Sequence, residues 1–218
     1  MTTTNKITDR PLVSAKWKCE HGIVWLKKED CKCCPEDKLV LTGPTKIDIG
    51  CGLRPVEGFD GIDMLDFGQA IVYDVRITPW NLEDNSIEAV TSNHFVEHLT
   101  GAERVSFFNE LYRVMKPGAQ ATIITPNWQH ACAYGDPTHQ WPPMSQWYPL
   151  YLDKDWRAVN APHTQYTCDF NYNIGGSWDQ SVQGRNMEYI QMAMNNYTNI
   201  WRDLIVTIIA KPKEAPQA

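Results

Sequence analysis

Four short apolar runs follow one another between Lys46 and Phe95, and each ends on a small or polar residue. They are Lys46-Ile-Asp-Ile-Gly-Cys-Gly52, the run ending Gly61-Ile-Asp63, then Val72-Tyr-Asp-Val75, and Ala89-Val-Thr-Ser-Asn-His-Phe95. Apolar runs of this length read as buried parallel strands, and open α/β sheets bind ligands at the carboxyl ends of such strands. The order of these endings constrains the fold more than any other feature of the chain.

The glycines at 50 and 52 carry no Cβ, so a ligand can approach the backbone there. Asp63 is placed as an acceptor for ribose hydroxyls would be. Both features suit NAD as well as other adenosine-containing ligands. A dinucleotide fingerprint, however, wants a third glycine three residues after the second and a helix whose N-terminus faces the pyrophosphate. Pro55 stands at that position, and Cys51 to Gly58 is too short for a crossover helix, which with its loops needs about a dozen residues. A ligand without phosphates does not need that helix.

Asp48-Ile-Gly-Cys-Gly52, Asp63, Asp74 and Asn93-His-Phe-Val-Glu-His98 together resemble the class I S-adenosylmethionine (SAM) dependent methyltransferases. The resemblance is to the small type 11 group and, in the tail, to uncharacterised phage-encoded members. Leu111-Tyr-Arg-Val-Met-Lys-Pro-Gly118 ahead of a strand is similar to the same family, as is Gly135-Asp-Pro-Thr-His139. The resemblance implies that Asp48, Gly50 and Gly52 cradle the amino-acid part of SAM, with the backbone of Cys51 and Leu53 nearby. It further implies that Asp63 takes the ribose, that Asp74 and Val75 meet the adenine, and that Asn93 and His94 lie near the methyl group. Asp136 and His139 would then be aimed at the methyl end. As plain sequence, Asp63 and Asp74 could equally serve turns or helix caps. His94, His98 and His139 are the candidate bases, each with a structural role as the alternative.

The expected architecture is α/β: a Rossmann-like, seven-stranded, mostly parallel sheet with helices on both faces, plus a small N-terminal cysteine-rich module. The expected divisions are 1–44 for the N-terminal segment, 45–211 for the methyltransferase-like domain with a substrate-side insertion at 127–200, and 212–218 for a disordered tail. Thr100-Gly-Ala-Glu103 forms a capping box that opens a helix, with Val105, Phe108, Leu111, Tyr112 and Met115 as its apolar stripe and Pro117-Gly118 as its stop. A strand over 120–125, a strand over 169–176, a helix over 185–197 and a closing strand over 203–210 follow. The helix at 185–197 is a candidate wall for the pocket or a homodimer contact. The aromatic residues of 127–200 can enclose a planar substrate or fill a satellite core.

Cys19-Glu-His21 and Cys31-Lys-Cys-Cys34 supply four ligands, Cys19, His21, Cys31 and Cys34, that could close a structural zinc site. Reduced free thiols are the alternative reading. Residues 10–46 hold eight Lys or Arg against five Asp or Glu, a basic stretch through which nucleic acid could dock, although the net charge of −6 argues against broad adhesion to it. The polar start and the short apolar runs suggest no signal peptide and no membrane span, hence a cytoplasmic location, in the host cytoplasm if the chain is phage-encoded. The substrate expected from all this is a small molecule or a modified nucleotide. Asn93-His-Phe95 lacks the two prolines of adenine and cytosine amino-methyltransferases, and no Pro-Cys dipeptide is present for cytosine-C5 chemistry. A nucleic-acid-binding or nucleic-acid-modifying protein that docks its target through the N-terminal Cys/His module is the competing reading.

Overall fold

The computed structural model describes residues 45–80 and 82–213, together with three short strands near the N-terminus. Those strands, β1 (Lys16–Lys18), β2 (Val24–Trp25) and β3 (Val40–Thr42), form a small antiparallel sheet in the order β2-β1-β3. The rest of the N-terminal segment, with all four zinc candidates, lies outside the described residues.

The main sheet contains β4 (Lys46–Ile49), β5 (Asp60–Asp63), β6 (Ile71–Val72), β7 (Ile87–Asn93), β8 (Met115–Pro126), β9 (Phe170–Trp178) and β10 (Trp201–Ala210). Their spatial order is β6-β5-β4-β7-β8-β10-β9. The first five run parallel, and β10 is antiparallel to both of its neighbours. The chain therefore builds outward from β4 on one side, then returns to start β7 on the other. That reversal opens a crevice between the carboxyl ends of β4 and β7.

The two faces of the sheet differ. Ile47, Ile49, Val90, Ala121, Ile123, Leu204, Val206 and Ile208 are buried on one of them. Helix α1 (Gly101–Val114) packs there through Phe107, Phe108, Leu111 and Val114. On the opposite face the strand register lines up Gly61, Asp48, Thr91, Thr122, Thr207 and Asn173 in one row across six strands. The expectation of helices on both faces is corrected here. The connections over 50–59, 64–70 and 73–86 contain no helix among the described residues; the first two are too short to cross back over the sheet with one, and the third spends its length on turns around Asp74 and Trp80. Threonine and asparagine on the less covered face are the sequence correlate.

The capping box at Thr100 is formed. Its side chain accepts from Glu103 N, and the Glu103 carboxylate accepts from Thr100 N at 2.8 Å, a pairing that stabilises the helix start by about 1 kcal/mol. The buried stripe is Arg104, Phe107, Phe108, Leu111 and Val114, one position off the stripe read from Val105 and Tyr112. Pro117-Gly118 does not stop the helix. The chain has already entered β8 at Met115, and the dipeptide occupies a register shift between Ile87 and Ala89. At the end of α1, Arg113 donates to Trp80 O and Leu82 O, both at 2.8 Å, and pairs with Glu110 and Asp84, tying the helix to the connection before β7.

Helix α2 (Cys132–Gly135) follows β8 directly, and α4 (Met187–Asn196) joins β9 to β10, so both lie at the carboxyl edge of the sheet. The turn Tyr148–Leu152 and helix α3 (Lys154–Asn160) sit on the α1 side, where Tyr148 and Tyr166 meet Phe108. Most of the aromatic insertion is thus satellite core, while Trp128, Tyr134, Trp141 and Trp147 stay exposed. Lys213 Nζ hydrogen-bonds Arg113 O at 2.6 Å and so fastens the chain beyond β10.

Trp201 lies across Gly176 on the neighbouring strand. A Cβ at 176 would overlap the Trp201 indole and stand 2.8 Å from Asp203 O. Gly176→Ala is expected to lose roughly 2 kcal/mol of stability in urea unfolding. Gly175→Ala, whose methyl would meet only Ile205 O at 3.9 Å, should stay within about 1 kcal/mol of the parent.

Candidate active site

The first wall of the crevice is the turn after β4. Gly50 and Gly52 have φ of +71° and +53°, a region that favours glycine. A Cβ at Gly50 would also fall 2.5 Å from the Phe95 ring, so the position is closed to any other residue without rearrangement. Gly50 N and Cys51 N both donate to Ile62 O, at 2.8 and 3.2 Å.

Two carboxylates then fix the loop. Asp63 Oδ2 accepts from Gly52 N and Asp63 Oδ1 from Leu65 N, each at 3.0 Å. Asp48 Oδ2 accepts from Val56 N at 2.9 Å, while Asp48 Oδ1 is buried without a hydrogen-bond partner. Burial pushes the Asp48 pKa up, against the lowering effect of Val56 N–H.

A cavity of about 490 Å³ opens beside this turn. Six of the residues singled out in the sequence line it: Gly50, Asp63, Asp74, Val75, His94 and His98. Met64, Leu65, Phe67 and Phe95 supply apolar walls. Asp48, Cys51, Gly52, Leu53 and Asn93 do not line it; Leu53 points to solvent at 78% exposure. Asp74 is already engaged. Arg76 Nε reaches its Oδ1 at 2.9 Å and Nη2 its Oδ2 at 2.7 Å, which holds the carboxyl below the usual range.

His94 ends β7 with φ +53°, an uncommon conformation for a non-glycine residue that is concentrated at functional sites. Its Nδ1 stands 3.3 Å from Glu97 Oε1 and its Nε2 3.8 Å from Asp203 Oδ1. The Glu97 carboxylate, opposed by burial, raises the His94 pKa. His98 and Thr138 also line the cavity. His139 lies behind them with its ring 4.8 Å from that of His98, its Nδ1 paired with Ala133 O at 3.1 Å. Asp136 accepts from Thr138 N and Oγ1, at 2.8 and 2.7 Å, and these bonds lower its pKa; it stands one layer behind the cavity wall.

Glu97, Arg104, Thr138 and Arg76 were not singled out from the sequence. Arg104 is 6% exposed and donates to Val96 O, Pro142 O and Gln140 O at 3.3, 2.6 and 3.2 Å. It thereby binds the Val96–His98 turn to the segment carrying His139. Its signal was present: Arg104, Phe107, Phe108 and Leu111 share one helix face, and a cation in a buried stripe needs a reason. The cluster Glu97, His98 and His139 is brought together by folding alone. The candidate zinc ligands Cys19, His21, Cys31 and Cys34, and the side chains of the basic stretch up to residue 44, lie outside the described residues. Among the described residues no helix is long and apolar enough to cross a membrane.

A family model described as "Methyltransferase domain" matches residues 63–123, from the end of β5 into β8. A SAM-dependent methyltransferase from Archaeoglobus fulgidus superposes with a TM-score of 0.55 at 18% identity, over 75% of this chain and 85% of that one. A phosphoethanolamine N-methyltransferase 2 from Haemonchus contortus matches with a TM-score of 0.43 at 15% identity, covering 79% of this chain but only 50% of its own. A geranyl diphosphate C-methyltransferase from Streptomyces coelicolor matches with a TM-score of 0.45 at 15% identity, over 78% and 72% of the two chains. Curated protein sequences give no match. The resemblance to class I SAM-dependent methyltransferases drawn from the strand-end residues is upheld by the family model and by the Archaeoglobus fold.

Burial, reinforced by the Asp48 and Asp63 charges, pushes the Cys51 thiol up to about 11. Only about one thiol in a thousand is then ionised at pH 8, and alkylation requires the thiolate. Iodoacetamide labelling of the peptide containing Cys51, followed by mass spectrometry, should be slow at pH 7 and accelerate about tenfold per pH unit up to pH 10. Rapid labelling at neutral pH would show that the turn is open.

Proposed function

We propose that the chain binds SAM in the cavity beside Gly50 and catalyses methyl transfer to a small molecule or modified nucleotide. The observation that carries this reading is the convergence of Gly50, Asp63, Asp74 and Val75 on one cavity at the switch point of the sheet. The methyltransferase family model over residues 63–123 and the similarity to the SAM-dependent methyltransferase from Archaeoglobus fulgidus support the cofactor class.

The residues present fit such a ligand. Each Asp63 oxygen accepts one backbone N–H, which leaves lone pairs for two ribose hydroxyls. Met64, Leu65, Phe67 and Val75 offer the apolar surface that a purine needs. The connection over 50–59 carries no helix, so the turn has no helix N-terminus to offer a pyrophosphate, which speaks for a sulfonium nucleoside without phosphates over NAD. Asp74 can meet an adenine amino group only with a lone pair left free by Arg76.

Bound SAM supplies an electrophilic methyl group, and the protein's task is to align the acceptor and exclude water. His94 stands at the wall next to Gly50 and Phe95. Because Glu97 raises its pKa, His94 carries its proton further into the neutral range and serves better as a hydrogen-bond donor that orients the acceptor than as a base. Asp136 positions Thr138 and, through it, His98. His139 supports the same wall from behind.

Calorimetry with S-adenosylhomocysteine should give binding, and the same titration with NAD should not. Asp63→Ala is expected to weaken S-adenosylhomocysteine more than tenfold while thermal unfolding remains cooperative. Unchanged affinity would mean that the ribose lies elsewhere, and NAD binding in preference would replace the reading. Transfer of label from methyl-labelled SAM into cell extract identifies the acceptor.

A further inference from the structure

We propose that Glu97, His98 and His139 form a divalent-metal site in the cavity wall, and that the ion takes an oxygen ligand of the methyl acceptor. The site stands on its own geometry, while its assignment to the acceptor rests on the methyl-transfer reading above.

One ligand atom from each of the three side chains lies within 4.8 Å of the others. Neighbouring ligands of a first-row ion bound at about 2.0–2.2 Å are roughly 3–3.5 Å apart, so the widest pair in the cluster must draw in by up to about 1.5 Å. The second observation is Glu97 itself. It is 3% exposed, yet neither carboxylate oxygen is hydrogen-bonded. A buried acceptor in this condition calls for a partner. Among the described residues, His94 Nδ1 makes an ion-pair contact with Oε1 at 3.3 Å, and the nearby Arg104 gives its hydrogen bonds to backbone carbonyls instead.

The hydrogen bonds behind the two histidines fix which nitrogen each presents. Thr138 has a single hydroxyl proton, which goes to Asp136 Oδ1 at 2.7 Å. Thr138 Oγ1 must then accept from His98 Nδ1 at 2.9 Å, leaving the lone pair of His98 on Nε2. His139 Nδ1 faces Ala133 O at 3.1 Å and can only donate to it, so its lone pair is on Nε2 too. A carbonyl or hydroxyl behind each ring is the outer-shell arrangement that orients imidazole for a metal. Two histidines and one carboxylate leave coordination positions open, and His98 and Thr138 belong to the cavity wall. Those positions suit a hydroxyl or carboxylate of a bound molecule.

Mn²⁺ is the probe, because it prefers oxygen and imidazole to the thiolates of the cysteine-rich segment. Electron paramagnetic resonance of free Mn²⁺ during titration of the full chain should show one saturable site. His139→Ala and Glu97→Gln should weaken it at least tenfold, with far-ultraviolet circular dichroism confirming that each variant is folded. Thr138→Val leaves all three ligands in place but releases His98, and should also cost about tenfold in Mn²⁺ affinity; it decides the matter should the Glu97 variant unfold. Acetohydroxamate, a small oxygen ligand, should alter the spectrum of bound Mn²⁺. Absence of saturable binding, or binding indifferent to these substitutions, overturns the site, and an unaltered spectrum removes the oxygen ligand. Retained Mn²⁺ binding without S-adenosylhomocysteine binding leaves the metal site standing and sinks the methyl-transfer reading.

Discussion

Two carboxylates holding one loop are the constraint from which the rest of the crevice follows. Asp48 and Asp63 end on adjacent strands, and their side chains take the amide protons of Val56, Gly52 and Leu65. Each charge-assisted bond of this type is worth roughly 1.5–3 kcal/mol, more than the loop could recover by packing, since Leu53 and its neighbours are largely exposed. Without a helix to brace it, a connection this short would otherwise have its donors satisfied by water, and the turn at Gly50 would have no defined position. The same bonds set how close Phe95 comes to Gly50. Loop, glycine and aromatic wall are therefore one unit, shaped from within the sheet and not from a crossover helix.

The strand endings were legible because their signal is local. Gly50, Asp63, Asp74 and His94 each close an apolar run, and strand order then brings them to one cavity without further information. The capping box at Thr100 and Glu103 was legible for the same reason. What could not be read depends on long-range packing. Pro117-Gly118 reads as a helix stop, yet the parallel pairing of Ile87 with Met115 draws the chain into a strand two residues earlier. Helices on both faces were expected from the fold class, but two of the three connections on that side are too short for one and the third forms turns instead, and the polar row from Asp48 to Asn173 records the consequence.

Asp74 is held by a local pair. Its position at a strand end fits an adenine contact, while Arg76 two residues on occupies both carboxylate oxygens. The pair is partly exposed, with Arg76 at 41%, so its strength is modest and a ligand competes with it on nearly equal terms. By contrast, the exposed aromatics Trp128, Tyr134, Trp141 and Trp147 do not line the strand-end cavity, while Tyr148 and Tyr166 pack on Phe108 and Trp178 on Trp201.

Arg104 links these observations. Burying a guanidinium carries an effective penalty of several kcal/mol, and that burial lowers its pKa. Bonds to carbonyls of Val96, Pro142 and Gln140 offset the penalty without a carboxylate partner, so the net gain in stability is small. What such an arrangement provides is position. It fixes the turn bearing Glu97 and His98 against the segment bearing Thr138 and His139, two stretches about forty residues apart that no secondary-structure element joins. Gln140 N, which donates to Glu97 O at 2.8 Å, and the contact of Thr138 Oγ1 with His98 Nδ1 at 2.9 Å join the same two stretches, and Arg104 adds its bonds to both from the helix side. The cation in the helix stripe is thus understood as a brace behind the cavity wall, one of several bonds that place the histidine pair.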